Sequence, residues 1–192
     1  MNDEMVLTVV KYGTPVLRQK GAPIESVTPA IRTLIADMIE TMYASKGIGL
    51  AAQQVGAPVQ LTVIDVRGAT DRPSSLEVNG QPADVAQSMP LVLINPRVTP
   101  VGEPVVGPEG CLSFPEIFID IARSEVADVT ALDAEGEPIQ FRCGGLLARV
   151  IQHEIDHLRG ILFIDRMPKE AKEELRPELE ALQAETKRQL NQ

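Results

Sequence analysis

Two histidines occur in this chain of 192 residues, and they stand four positions apart in His153-Glu154-Ile155-Asp156-His157. On a helix, that spacing places both imidazoles on one face, one turn apart, where they can share a single metal ion. The glutamate between them then stands beside the ion as a base. Two histidines placed at random would be separated by four only about once in a hundred times, before the glutamate is required. The chemistry this pattern points to is metal-assisted hydrolysis. The competing reading is a pair of histidines satisfied in the core or at the surface with no ion between them.

A catalytic metal needs a third protein ligand, and with no histidine left it must be a cysteine or a carboxylate. Cys111 lies in Glu109-Gly110-Cys111-Leu112-Ser113, where the glycine permits close backbone approach just before an apolar run. Cys143 lies beside Gly144-Gly145, at the end of a strand-like run. On position alone either sulfur could reach the histidines. For Cys143 a buried thiol acting as a small hydrophobe is the favoured reading. Two cysteines do not make a disulfide framework.

The element that must carry the histidines is a helix from Leu146 to about Arg159, released by Gly144-Gly145 and closed by Gly160. Its apolar members Leu146, Leu147, Val150, Ile151 and Leu158 face the core and draw His153, Glu154 and His157 inward with them. An earlier helix is expected over Thr28 to Lys46, with apolar residues at 31, 34, 35, 38, 39 and 42, Thr28-Pro29 as its start and Gly47 as its stop. The segment Gly47 to Gly56 is too rich in glycine for a helix and too poor in charge for a surface loop, so something must approach its backbone. Leu61 to Val66 and Leu91 to Ile94 read as buried strands. Between them, residues 67 to 89 read as an inserted, mobile and peripheral loop with a small hairpin at Asn79-Gly80. Further strands are expected at 112–121, 125–132 and 138–143, the last two joined as a hairpin, and a final strand at Ile161 to Ile164. Pro168 opens a charged C-terminal helix that Pro177 should kink or split.

Composition bounds the class. Eighteen Lys plus Arg against 27 Asp plus Glu leave a net charge of −9, which disfavours nucleic-acid binding by charge. Hydrophobic residues at 44% and charged residues at 23% are ordinary globular usage, and a chain of this length buries roughly 70% of its unfolded surface in one core without staples. With no Trp, 2 Tyr and 4 Phe, that core is aliphatic. The acidic Met-Asn-Asp-Glu start does not read as a signal peptide, and no apolar run is long enough for a bilayer, so a cytoplasmic protein with no membrane partner is expected.

Three segments also carry a family resemblance: Gly47-Ile48-Gly49-Leu50-Ala51-Ala52-Gln53-Gln54, then Glu109-Gly110-Cys111-Leu112-Ser113, then Gln152-His153-Glu154-Ile155-Asp156-His157. In content and order they resemble the three motifs of the peptide deformylases, and the likeness runs from about Val6 to Met167. The resemblance implies removal of the N-formyl group from the N-terminal formylmethionine of new polypeptides, with release of formate. By motif position it implies Cys111, His153 and His157 as metal ligands and Glu154 as catalytic acid and base. It implies Gln54 and the backbone N–H of Leu112 as donors to the carbonyl oxygen, and Ile48, Gly49 and Gly110 as backbone contacts to an extended peptide. The metal implied is one divalent ion, typically Fe(II), with zinc, nickel and cobalt forms. Some bacterial members contact the ribosome through a long basic tail helix. Here the tail charges nearly balance, so any ribosome contact is expected to be transient and not to run through the tail.

Elements and resemblance together give an α+β expectation: mostly antiparallel short sheets packed around a central metal-binding helix, with an N-terminal and a C-terminal helix. The chain is read as a single catalytic domain, 1–192, with 168–192 as a helical tail and 67–89 as the insertion. Three ligands leave one coordination position open for a water of lowered pKa. One thiolate makes the ion a softer Lewis acid than an all-histidine set would, so Glu154 must help as a base. Leu146 and Val150 are expected to wall an apolar pocket for the methionine side chain. Two rival readings differ in testable ways. A zinc endopeptidase would draw its third ligand from Glu173, Glu174 or Glu178, and a non-catalytic module would join Cys111 to Cys143 as a disulfide.

Overall fold

The computed structural model describes residues 5–192. Helix α1, Pro29–Ala44, starts as its sequence dictates: Thr28 accepts the Ile31 N–H on its hydroxyl at 3.3 Å, and Pro29 takes the first position. Its stop differs from expectation. The left-handed residue is Lys46, at φ 56°, and Gly47 follows it with its N–H bonded to the Met42 carbonyl. Met38 and Met42 bury completely against a cluster that includes Leu50, Leu61, Val63 and Ile94.

The glycine-rich segment is not an open loop. It holds a short strand, β1 (Gly49–Ala51), and a 3-10 turn at Ala52–Val55. The remaining strands are β2 (Leu61–Ile64), β3 (Ser74–Val78), β4 (Gln81–Pro82), β5 (Leu91–Cys111), β6 (Phe114–Leu132) and β7 (Pro138–Gly145). All join one antiparallel sheet in the order β1-β2-β5-β6-β7-β3-β4. The α+β class with antiparallel pairing is therefore as expected, but the short pieces are parts of one continuous sheet.

Strand β5 runs 17 residues beyond the Ile94 end read from the sequence, through Pro96, Pro100, Pro104 and Pro108. Prolines argue against a central strand. Past Ile94, however, β5 is paired on one side only, with β6, and a strand with one neighbour leaves alternate N–H groups out of the ladder. The ribbon of β5 and β6 closes at a two-residue turn, with Cys111 opposite Phe114, so Leu112 and Ser113 are its tip rather than the start of a strand.

The inserted segment has the hairpin expected at Asn79 and Gly80, both at positive φ (53° and 72°) as the primed turn requires. It is not merely peripheral, because β3 pairs with β7 and buries Leu76 in the core. Ile161 to Ile164 does not form a strand. Phe163–Asp165 is a 3-10 turn whose apolar side chains pack with Leu17, Phe114 and Ile121. Tertiary burial here overrides a weak β preference. The tail divides as expected into α3 (Lys169–Glu174) and α4 (Arg176–Leu190), with Pro177 tolerated in the first turn of α4. Among the described residues no helix is long and apolar enough to cross a membrane.

Candidate metal centre and active site

The helix that carries both histidines is α2, Leu146–Leu158, and every one of its thirteen residues is buried. It packs on the sheet through Leu147, Ile151 and Ile155, which leaves His153, Glu154 and His157 on a face that is neither core nor solvent. Its N-terminus has no side-chain cap of its own. The Pro73 carbonyl accepts the Leu146 N–H, and the Ser74 hydroxyl accepts the Leu147 N–H, both at 3.0 Å. The insertion thus caps the helix that carries both histidines, a role its composition does not signal.

The β5–β6 tip brings Cys111 to the two histidines. The ligand atoms of Cys111, His153 and His157 lie within 4.8 Å of one another, and the Cys111 Sγ is 3.4 Å from His157 Nε2. A tetrahedral ion bound at about 2.3 Å to sulfur and 2.0–2.1 Å to nitrogen separates its ligands by roughly 3.3–3.6 Å. The donor set and its spacing fit a divalent metal. Cys143 is elsewhere, buried with its Sγ 3.7 Å from the Ala127 carbonyl, and burial pushes its thiol up to about 12. Both cysteines are free, and no glutamate of α3 or α4 belongs to the ligand group among the described residues.

The support behind His153 was not legible. Glu109 takes the His153 Nδ1 at 2.9 Å, which leaves Nε2 for an ion. The same carboxylate accepts Arg123 Nε at 2.9 Å and Arg149 Nη1 at 3.0 Å, and Arg123 reaches on to Asp156. Burial opposes the charge on Glu109, but the bonds from His153 and Arg123 outweigh it and bring the carboxyl down to about 2. Two signals could have revealed this network. Glu109 and Cys111 are two apart on a strand, and Arg149 precedes His153 by one helical turn.

Glu154 is buried beside the ligands, and its Oε2 has no hydrogen-bond partner among the described residues. Burial pushes its carboxyl up to about 7, against the pull of the His153 charge. Gly49 faces it so closely that a Cβ there would lie 2.5 Å from Glu154 Oε1. What approaches this glycine is therefore the glutamate itself. Gln54 accepts the Ala51 N–H on its Oε1 at 2.9 Å and turns its Nε2 to Ser113 Oγ at 3.2 Å and Cys111 Sγ at 3.5 Å. It ties down its own loop and also points a donor into the site.

Ile48, Gly49, Gln54, Gly110, Cys111, Leu112, His153 and Glu154 all line one cavity of about 650 Å³, which also has Leu146 and Val150 in its wall. Strand β1 stands at the edge of the sheet beside it. The Ile48 carbonyl is already engaged by the Asp65 N–H. His157 does not line the cavity. It is buried behind the cavity wall, and its Nδ1 has no partner among the described residues.

Comparison with known proteins agrees with this geometry. The polypeptide deformylase family model matches residues 6–173. The peptide deformylase of Methylacidiphilum infernorum is 48% identical over 178 residues, 93% of each chain, and that of Opitutus terrae 46% over 170 residues, 88% of each. The crystal structure of a peptide deformylase from Synechococcus elongatus in complex with actinonin superposes with TM-score 0.77 at 37% identity, covering 93% of this chain and 90% of that one. A plant peptide deformylase structure superposes with TM-score 0.83 at 35% identity, covering 100% and 97%. The chain belongs to the polypeptide deformylase family, metal-dependent hydrolases that remove the N-formyl group from formylated polypeptides.

Proposed function

We propose that Cys111, His153 and His157 hold one divalent ion, ferrous iron in the cell, and that Glu154 is the acid and base of deformylation on formyl-Met ends of nascent chains. The observation that carries this reading is the convergence of one cysteine sulfur and two imidazoles within 4.8 Å beside a buried carboxylate, with Cys111, His153 and Glu154 lining an open cavity and His157 behind them. The ion, when bound, supplies the Lewis acidity that acidifies the attacking water and polarises the formyl carbonyl. Glu154 takes the proton from that water and returns it to the departing amine nitrogen. A carboxyl near 7 without an ion, lowered by a neighbouring cation, is placed to do both at neutral pH.

The oxyanion that forms on the formyl oxygen needs donors fixed in advance. Gln54 Nε2 is held by Ser113 and aimed beside Cys111, and the Leu112 N–H sits at the same ribbon tip. Ile48, Gly49 and Gly110 offer backbone to an extended peptide, which suits a sheet edge at β1 and tolerates varied sequence. Leu146 and Val150 supply apolar wall for the methionine side chain. The reaction takes place in the cytoplasm, in a transient encounter with the ribosome. The test is release of free amine from a formyl-Met dipeptide by protein loaded anaerobically with ferrous iron. No release by folded, metallated protein overturns the reading.

A further inference from the structure

The mouth of the active-site cavity carries mostly one sign of charge. Its lining includes Lys11, Lys46 and Arg72, and none of the three has an ion-pair partner among the described residues. Arg149 also lines it but is spent on Glu109 and on the Val105, Gly107 and Ile121 carbonyls. Of the acids in the lining, Glu109 is held by Arg123, Arg149 and His153, and Glu154 is buried. That leaves exposed Glu116 as the one free carboxylate there among the described residues. Three free cations against one free acid is the reverse of the chain's overall charge of −9.

Lys11 is bonded at Leu112, and Lys46 precedes a residue that packs against it. The Lys11 Nζ donates to the Leu112 carbonyl at 2.8 Å, which leaves its charge uncompensated by any carboxylate. Exposed Lys46 sits in the left-handed conformation immediately before Gly47, where a Cβ would lie 2.8 Å from Leu112 Cδ1. Arg72 enters from the insertion, next to Pro73, whose carbonyl accepts the Leu146 N–H. A peptide whose formyl oxygen is held near Leu112 has its next one or two residues, each adding about 3.3 Å, within the same cavity that these side chains line.

We propose that the rim makes the enzyme selective for formyl-Met chains with Asp or Glu at the second or third residue, and against Lys or Arg there. This rests on the function proposed above. The test compares kcat/KM on formyl-Met-Asp-Ala, formyl-Met-Ala-Ala and formyl-Met-Lys-Ala with the metallated enzyme. An exposed ion pair is worth up to roughly 5-fold, and attraction for one peptide adds to repulsion of the other. The Asp peptide should therefore exceed the Lys peptide by roughly 10-fold at low ionic strength, with the Ala peptide between them and most of the difference in KM. Salt at about 0.5 M should bring the ratio to roughly 2.

Lys46→Gln should lower the ratio by about threefold, and Lys46→Glu should lower it further, to about one. A ratio near one or inverted in the parent enzyme, a ratio insensitive to salt, or one that both variants leave unchanged overturns the proposal. No turnover of any of the three peptides overturns the function reading and this proposal with it. Turnover of all three without the charge order overturns this proposal alone.

Discussion

Replacing Gly49 with alanine puts a methyl carbon against the carboxylate of Glu154, the proposed acid and base. The added Cβ would lie 2.5 Å from Glu154 Oε1, 3.0 Å from Glu154 Cδ and 2.9 Å from Val150 Cγ1. Ordinary contacts of these kinds are about 3.3–3.8 Å, so both side chains must retreat by roughly 0.8 Å. They sit one turn apart on α2, a helix buried along its whole length, and the helix cannot yield as a unit without disturbing the sheet beneath it. Misplacing a reacting group by about 1 Å costs on the order of 100-fold in turnover, and overpacking costs about 1–3 kcal/mol in stability. The metal ligands are not touched, so one ion per chain should remain. The assay is kcat and KM on a formyl-Met dipeptide, with metal content measured on the same sample. Gly68→Ala serves as the control, since a Cβ there meets nothing within 4 Å. If Gly49→Ala keeps turnover within threefold of the parent, the close approach to Glu154 is not what requires glycine at this position.

Other outcomes follow from the same geometry. Cys111→Ala should lose the metal, whereas Glu154→Gln should keep it and lose turnover by at least 100-fold; metal analysis beside the amine-release assay separates the two. Gln54→Ala removes one oxyanion donor and should lower kcat by about 100- to 1,000-fold with the metal retained, so an unchanged kcat would leave Gln54 as a loop tie alone. Glu109→Gln leaves His153 Nδ1 without its carboxylate and should weaken metal affinity by about 10- to 100-fold, read by competition with a chelator. Because the Glu109 carboxyl falls from an ordinary 4.5 to about 2 on folding, it contributes stability above pH 4.5 that is lost as pH drops through 2. That contribution is about 3 kcal/mol, and denaturation of the metal-free variant should show a shallower acid dependence than the parent. Cys143, with its thiol pushed up to about 12, should resist alkylation at pH 8 in the native protein and react once it is unfolded; labelling at native pH, seen by mass, would refute its burial.

The sequence by itself settled what local geometry settles. The pair His153 and His157 was legible because a helix brings residues four apart together whatever the rest of the chain does. The start of α1 at Thr28-Pro29, the Asn79-Gly80 turn and the division of the tail near Pro177 follow from constraints on a few neighbouring dihedrals. The third ligand is different in kind. Counting ligands leaves Cys111, Cys143 and several carboxylates open; a buried thiol is the favoured reading of Cys143, and a motif-level family likeness singles out Cys111. What brings the Cys111 sulfur to the histidines is the long ribbon of β5 and β6, with a register shift between Gly110 and Cys111, and its prolines hid β5 from propensity reasoning. The Glu109 network and the capping of α2 by Pro73 and Ser74 were likewise decided only by the fold. Each joins residues far apart in the chain, and such contacts depend on strand order and register, which no short window of sequence encodes.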